Sequence, residues 1–331
     1  MMFINTMIIG TMIAVSSYSW LSMWIGLEIN LLSLIPLISS NNNLYSSESA
    51  MKYFITQTLA SSIILFSILL MSIKFEFISF NNNYSYMMTM FNSAILIKMG
   101  AAPFHFWFPE IMEGLNWFNS FIILTWQKIA PMIIFMTNIK LNMFTNIIII
   151  SSSIISGIMG INQTSMRKIL SFSSINHISW MISTMMINQS IWLIYFSCYT
   201  IINLNLILMF YYLNIYYIQQ LLMKINYNKM IKLFFIMNFL SLGGLPPFLG
   251  FLPKWLTINN LIMNNYFIIS LILIIFSLIT LFMYLRITFT SIMIYSTEMM
   301  FYQNKFNFLM FYLNMIMLIS LIFCTMLFNM V

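Results

Sequence analysis

Four ionisable residues interrupt runs of sequence that are otherwise apolar: Glu28, Lys98, Lys128 and Lys254. Lys98 lies about 11 residues into the run that begins at Met87, roughly 16 Å along a helix and near the middle of a hydrocarbon core about 30 Å thick. Each such charge costs about 2.5–3.5 kcal/mol on insertion scales, so each should face an interior partner or water. Burial disfavours the charged form of a lysine or a glutamate, and a nearby opposite charge favours it. A lysine whose carboxylate partner can approach or withdraw is therefore a proton-holding site of adjustable affinity. The competing reading is four members of structural ion pairs, which stabilise poorly compared with apolar packing. His177 sits in a run of small polar residues, Ser171-Phe-Ser-Ser-Ile-Asn-His-Ile-Ser-Trp180. It suits either a hydrated half-channel or hydrogen bonding between helices, and His105 has the same two readings.

The elements that must position these residues are helices, two of them broken. After Lys98 come Gly100 and Pro103, and before Lys254 come Gly244, Pro246 and Pro247. Proline lacks an N–H and its ring clashes with the preceding turn, so a kink or break is predicted at Pro103 and at Pro247. Such breaks are tolerated in lipid only inside protein or along a wet cavity. The segment Gly100–Glu110 aligns without gaps on Gly244–Lys254, with Gly100/Gly244, Pro103/Pro247, Phe104/Phe248 and Pro109/Pro253 identical. The two copies fall in the fourth and ninth spans. Five spans is an odd number, so the copies should run in opposite directions, the mark of an inverted-repeat transporter.

Of 331 residues, 61% are hydrophobic and 6% charged, against roughly 25% charged in soluble domains. The expected class is an all-α polytopic membrane protein. Eleven spans of about 20 residues are predicted: 1–20, 22–40, 50–73, 87–109, 119–140, 144–162, 167–187, 190–216, 232–262, 265–288 and 306–329. Polar breaks fall at Ser39–Ser49, Asn81–Ser85, Asn142–Asn146, Gln219–Lys229 and Glu298–Lys305. Everything reads as one membrane domain, 1–331, with repeat one at 1–140, repeat two at 144–288 and an extra C-terminal helix at 306–329. Lys52, Arg167, Lys168, Lys224, Lys229, Lys232, Arg286 and Lys305 fall on the N-terminal side, against Lys74 and Lys140 on the other. The positive-inside bias places the N-terminus inside and the C-terminus outside. The positives are too scattered for nucleic acid, though anionic headgroups such as cardiolipin could meet the N-terminal-side lysines. Cys198 and Cys324 are isolated and no CxxC, HExxH, GxGxxG or Walker A motif is present, so neither a metal site nor a bound cofactor is expected.

Gly26-Leu-Glu-Ile-Asn30, Lys98 to Glu110, Thr125-Trp-Gln-Lys-Ile-Ala-Pro131, Asn162 to Leu170 with Ser174 to Trp180, and Leu242 to Trp255 together carry a resemblance. In order and type they resemble the subunit 2 family of mitochondrial NADH:ubiquinone oxidoreductase, respiratory complex I, in an insect-like composition. The resemblance implies one of three antiporter-like subunits of the membrane arm, in the mitochondrial inner membrane with its N-terminus toward the matrix and its C-terminus toward the intermembrane space. Glu28 and Lys98 resemble the glutamate–lysine pair of the input half, Lys128 the central lysine and Lys254 the lysine of the output half. It also implies that NAD, FMN, iron–sulfur clusters and ubiquinone belong to partner subunits, with none on this chain. The rivals are a free-standing cation/proton antiporter, which would function alone, and a structural membrane scaffold whose charges merely pair.

Overall fold

The computed structural model describes residues 2–40, 43–75, 81–138, 143–225, 229–293, 312 and 314–315. Every regular element among them is a helix: α1 Met2–Ser16, α2 Trp20–Ile38, α3 Leu44–Phe75, α4 Asn81–Met99, α5 Trp107–Gly114, α6 Trp117–Leu124, α7 Trp126–Asn138, α8 Met143–Ile161, α9 Met166–Met185, α10 Gln189–Leu213, α11 Ile218–Ile225, α12 Lys229–Gly243, α13 Phe251–Met263 and α14 Phe267–Met293. Six stretches are long and apolar enough to cross a membrane: Trp20–Ile38, Leu44–Ser72, Trp117–Asn138, Met143–Ile161, Gln189–Leu213 and Phe267–Ile292. The chain forms two compact units, Met1–Ile148 and Ile149–Val331.

In the first unit α1 and α2 pack backbone to backbone. A Cβ on Gly26 would stand 2.5 Å from the Ala14 amide nitrogen, and one on Gly10 would stand 2.9 Å from the Asn30 nitrogen. Small residues allow this approach, which gains van der Waals contact where lipid offers no hydrophobic drive. It fixes the helix that carries Glu28 and Asn30. We expect Gly26→Leu to wedge these helices apart and to cut the amount of folded, assembled protein several-fold on native electrophoresis, because overpacking of this kind costs about 1–3 kcal/mol or more. The long α3 packs on α2, α4 and α5, and α7 packs on α1 and α4.

In the second unit α9 is the centre. From Ile169 to Met185 it is buried without interruption, against α10, α13 and α14. Its serines satisfy themselves by bonding back to carbonyls one turn earlier, as Ser173 does to Leu170 at 2.7 Å and Ser174 to Ser171 at 2.7 Å.

Several boundaries differ from the sequence reading. The spans predicted at 87–109, 119–140 and 232–262 are each two helices, α4/α5, α6/α7 and α12/α13. The first and third breaks begin at glycine, before the proline: α4 ends at Met99 and α12 at Gly243, each four residues ahead of Pro103 or Pro247. Gly100 and Gly244 adopt φ of 75° and 76°, the left-handed conformation that closes a helix without a Cβ penalty. The prolines lie in the connecting turns, where Ala102–Pro103 and Pro246–Pro247 are cis. The α6/α7 junction was not anticipated; it falls at Thr125 (φ −118°, ψ −71°). The polar stretch 219–229 overlaps the amphipathic helix α11, which buries Leu221, and Asn81–Ser85 form the first turn of α4 and not a break. Asn and Ser suit helix starts, so a polar cluster alone does not mark a loop. The C-terminal helix expected at 306–329 lies outside the described residues.

Candidate functional site

In the first unit two of the flagged lysines converge. Lys98, 8% exposed in the last turn of α4, and Lys128, 2% exposed on α7, line one small cavity of about 20 Å³. Asn30, Tyr53, Gln57 and Gln127 share its wall. Gln127 is clamped there: its Nε2 donates to Asn30 Oδ1 at 2.9 Å, and Tyr53 Oη donates to its Oε1 at 3.5 Å. The backbone explains why Lys128 is set apart. It lies between the discontinuity at Thr125 and Pro131, whose missing N–H leaves the Gln127 carbonyl without its helical partner. The Lys128 ammonium also stands 5.3 Å from the centre of the Phe108 ring, an attractive cation–π arrangement.

Glu28 is half-buried on α2, with Oε1 enclosed and without a hydrogen-bond partner among the described residues. No ion pair within 4.0 Å joins it to Lys98 among the described residues; the ion pairs seen there are Lys52 with Glu48 and with Glu110, each at 3.0 Å on the surface. His105 lies in the turn after the break, its Nδ1 3.3 Å from the Pro103 carbonyl oxygen and its ring against Phe106.

In the second unit Lys254, 7% exposed in the first turn of α13, reaches back and donates to the Gly243 carbonyl at 2.8 Å. That carbonyl belongs to the negative end of α12, so the helix dipole stabilises the ammonium. Lys254 also stands 5.9 Å from the ring of Trp180 on α9. Gly244 leaves the space for it, since a Cβ there would meet Lys254 Cδ at 2.8 Å. One turn from Trp180, His177 bonds through Nδ1 to Tyr195 Oη at 2.9 Å and packs beside Tyr199, ring centroids 5.0 Å apart. Asn176 Nδ2 donates to Thr280 Oγ1 at 3.1 Å.

The two breaks are built alike, each within its own unit. Ala101 N donates to Leu96 O at 3.1 Å, Gly100 N to Ile97 O at 3.1 Å and Phe104 N to Ala101 O at 2.9 Å. The counterparts are Leu245 N to Leu240 O at 3.3 Å, Gly244 N to Ser241 O at 3.0 Å and Phe248 N to Leu245 O at 2.9 Å. The paired bonds at each glycine form a Schellman cap. At the first break Ile97 O accepts a second hydrogen bond, from Trp107 Nε1 at 3.0 Å. Sequence reasoning missed Asn30, Tyr53, Gln57 and Gln127 because neutral polar side chains do not stand out in so Asn-rich a chain. The available signals were the i, i+4 spacing of Tyr53 and Gln57 and the adjacency of Gln127 to Lys128.

Long apolar helices, paired capped breaks and buried lysines define a polytopic helical membrane protein with a charged interior. The family described as NADH:quinone oxidoreductase/Mrp antiporter, transmembrane, matches residues 17–281. The NADH-ubiquinone oxidoreductase chain 2 of Anopheles gambiae is 50% identical over 276 residues, which covers 81% of this chain and 79% of that protein. The chain thus belongs to the NADH-ubiquinone oxidoreductase chain 2 family. Its fold is that of a chain in respiratory complex I from Thermus thermophilus with bound aureothin (TM-score 0.82, 18% identity, 96% of this chain and 77% of that one). It is also similar to a chain of the Mrp complex from Dietzia sp. DQ12-45-1b (TM-score 0.75, 15% identity, 86% of this chain and 59% of that one).

Proposed function

We propose that this chain is a membrane-arm subunit of a proton-translocating NADH:ubiquinone oxidoreductase and that protons pass through it by way of Glu28, Lys98, Lys128 and Lys254. The observation that carries this reading is the convergence of Lys98 and Lys128 on one polar cavity in a chain of this family. A lysine releases and accepts protons readily once it is buried, whereas an arginine does not. In the first unit, a movement of the Glu28 carboxylate toward or away from Lys98 alters how firmly that lysine holds its proton. Released, the proton crosses the cavity to Lys128. In the second unit, Lys254 trades its hydrogen bond with the Gly243 carbonyl for a proton acceptor on the His177 side of α9.

Redox chemistry with NAD, FMN, iron–sulfur clusters and ubiquinone belongs in this reading to partner subunits. The two breaks belong to inverted repeats at 1–140 and 144–288, in a multi-pass protein of the mitochondrial inner membrane with its N-terminus on the matrix side. The neighbours along the arm are other antiporter-like subunits, and anionic lipids such as cardiolipin meet the N-terminal-side cations. The likeness to the Mrp complex favours a second reading, a cation/proton antiporter that needs no redox partner.

The test is made on the purified assembly. The chain is expected to co-purify with NADH–quinone activity, and Lys254→Met to lower protons moved per NADH at least several-fold with assembly unchanged. Purification as an isolated, active antiporter would overturn the reading, as would full pumping by the Lys254→Met complex.

A further inference from the structure

Gln57 is the buried polar group of the first unit that the pathway above leaves unused. It is 4% exposed, lines the cavity shared by Lys98 and Lys128, and its Nε2 has no hydrogen-bond partner among the described residues. A buried amide donor left unpaired costs about 1–3 kcal/mol, so its presence at a polar cavity points to a ligand. Lys98 likewise makes no direct hydrogen bond or ion pair among the described residues, although it is nine-tenths buried. A wall with two lysines and no carboxylate offers no ligand set for a metal ion, and no apolar ligand would satisfy an amide N–H and an ammonium together. Water does: it accepts from both and donates onward, with two to four polar partners in reach.

We infer that Gln57 is a positioning residue for proton transfer, holding water between Lys98 and Lys128; this rests on the function proposed above. The water accepts hydrogen bonds from Gln57 Nε2 and the Lys98 ammonium. An N–H bond of Lys98 breaks as an O–H bond forms on the water. An O–H bond of the water then breaks as an N–H bond forms on Lys128, which enters the step as the neutral amine and leaves it as the ammonium. The water is regenerated, no electrons move, and the amide of Gln57 keeps its protons throughout. Tyr53, one turn away on the same face of α3, is held by Gln127 with its hydroxyl toward the amide clamp, which keeps the far wall fixed.

Two variants and one structural measurement test this in the intact complex. Gln57→Leu and the longer Gln57→Met are expected to lower protons moved per NADH about tenfold, the loss for one orienting hydrogen bond, and to raise the solvent isotope effect on coupled turnover in D2O. Gln57→Asn should recover part of both. An unchanged proton ratio and isotope effect in either apolar variant at wild-type assembly would overturn the assignment. Independently of any variant, a high-resolution structure of the native complex should show a water within hydrogen-bond distance of Gln57 Nε2. A direct protein partner there instead would also overturn it. Lys128→Met serves as the reference: if it too transports normally, the proposed function fails, whereas its loss beside an unaffected Gln57→Leu defeats only the positioning role.

Discussion

Replacing Lys128 by methionine is expected to leave the assembled complex intact and to reduce its proton transport about a hundredfold. The two halves of that result have separate causes. Lys128 is 2% exposed and stands over the Phe108 ring. Methionine is unbranched, close in length and adaptable in a core. Exchanging a buried charge for an apolar side chain of similar size is often neutral or stabilising, so folding should survive. Transport should not, since among the described residues the titratable groups lining the cavity are Tyr53, Lys98 and Lys128. Removing a proton carrier of this kind typically costs 10²–10⁴-fold. Lys128→Arg sharpens the point: arginine keeps the charge but does not release its proton, so it should fail as completely. Dye quenching in proteoliposomes, paired with native electrophoresis, reads both halves. Wild-type pumping by either variant would remove Lys128 from the pathway.

The second large effect is expected at Gly250, far in sequence from any charge but Lys254. A Cβ built there would collide with the Ser241 carbonyl oxygen. That carbonyl accepts the Gly244 N–H at 3.0 Å and so forms half of the cap that ends α12. Backbone cannot yield as a side-chain tip can, so Gly250→Ala should cost at least the upper end of the usual overpacking range, about 3 kcal/mol. The cap and the carbonyl that Lys254 holds would shift together. The expected outcome is severe loss of assembled complex, with no proton pumping in what remains. Gly243→Ala is the control, because its Cβ would find only ordinary contact, 3.5 Å from Leu281 Cγ. It should assemble normally, and equal behaviour of the two variants would show that the close approach does not matter.

Legibility in the sequence followed the rarity of each signal. Lys98, Lys128 and Lys254 stood out because a charge within a lipid-length apolar run is uncommon, and all three are buried. The helix breaks at residues 100 and 244 were legible, but proline drew attention that belonged to glycine: the left-handed φ that ends each helix leaves no mark beyond the residue type. The junction at Thr125 carries no sequence sign, since threonine is ordinary inside membrane helices. Gln57 and Asn30 were hidden by composition. Their significance lies in which cavity they reach, and that depends on how α2, α3 and α7 pack, which no local pattern encodes.

The enclosed helix α9 has a consequence for how the protein is made. It carries Arg167, Lys168, Asn176, His177 and a series of serines, and it is not among the segments apolar enough to cross a membrane by composition. In the finished unit it meets α10, α13 and α14. During synthesis, which proceeds from the N-terminus, α13 and α14 are the last of these to emerge. Until they arrive, a helix that carries two cations, an asparagine and a histidine has only part of its wall. Its insertion is therefore a cooperative event, completed when α13 and α14 close over it. The biogenesis of this half of the protein is accordingly set by the helix that is most enclosed among the described residues and depends on the later arrival of the strongly apolar α14.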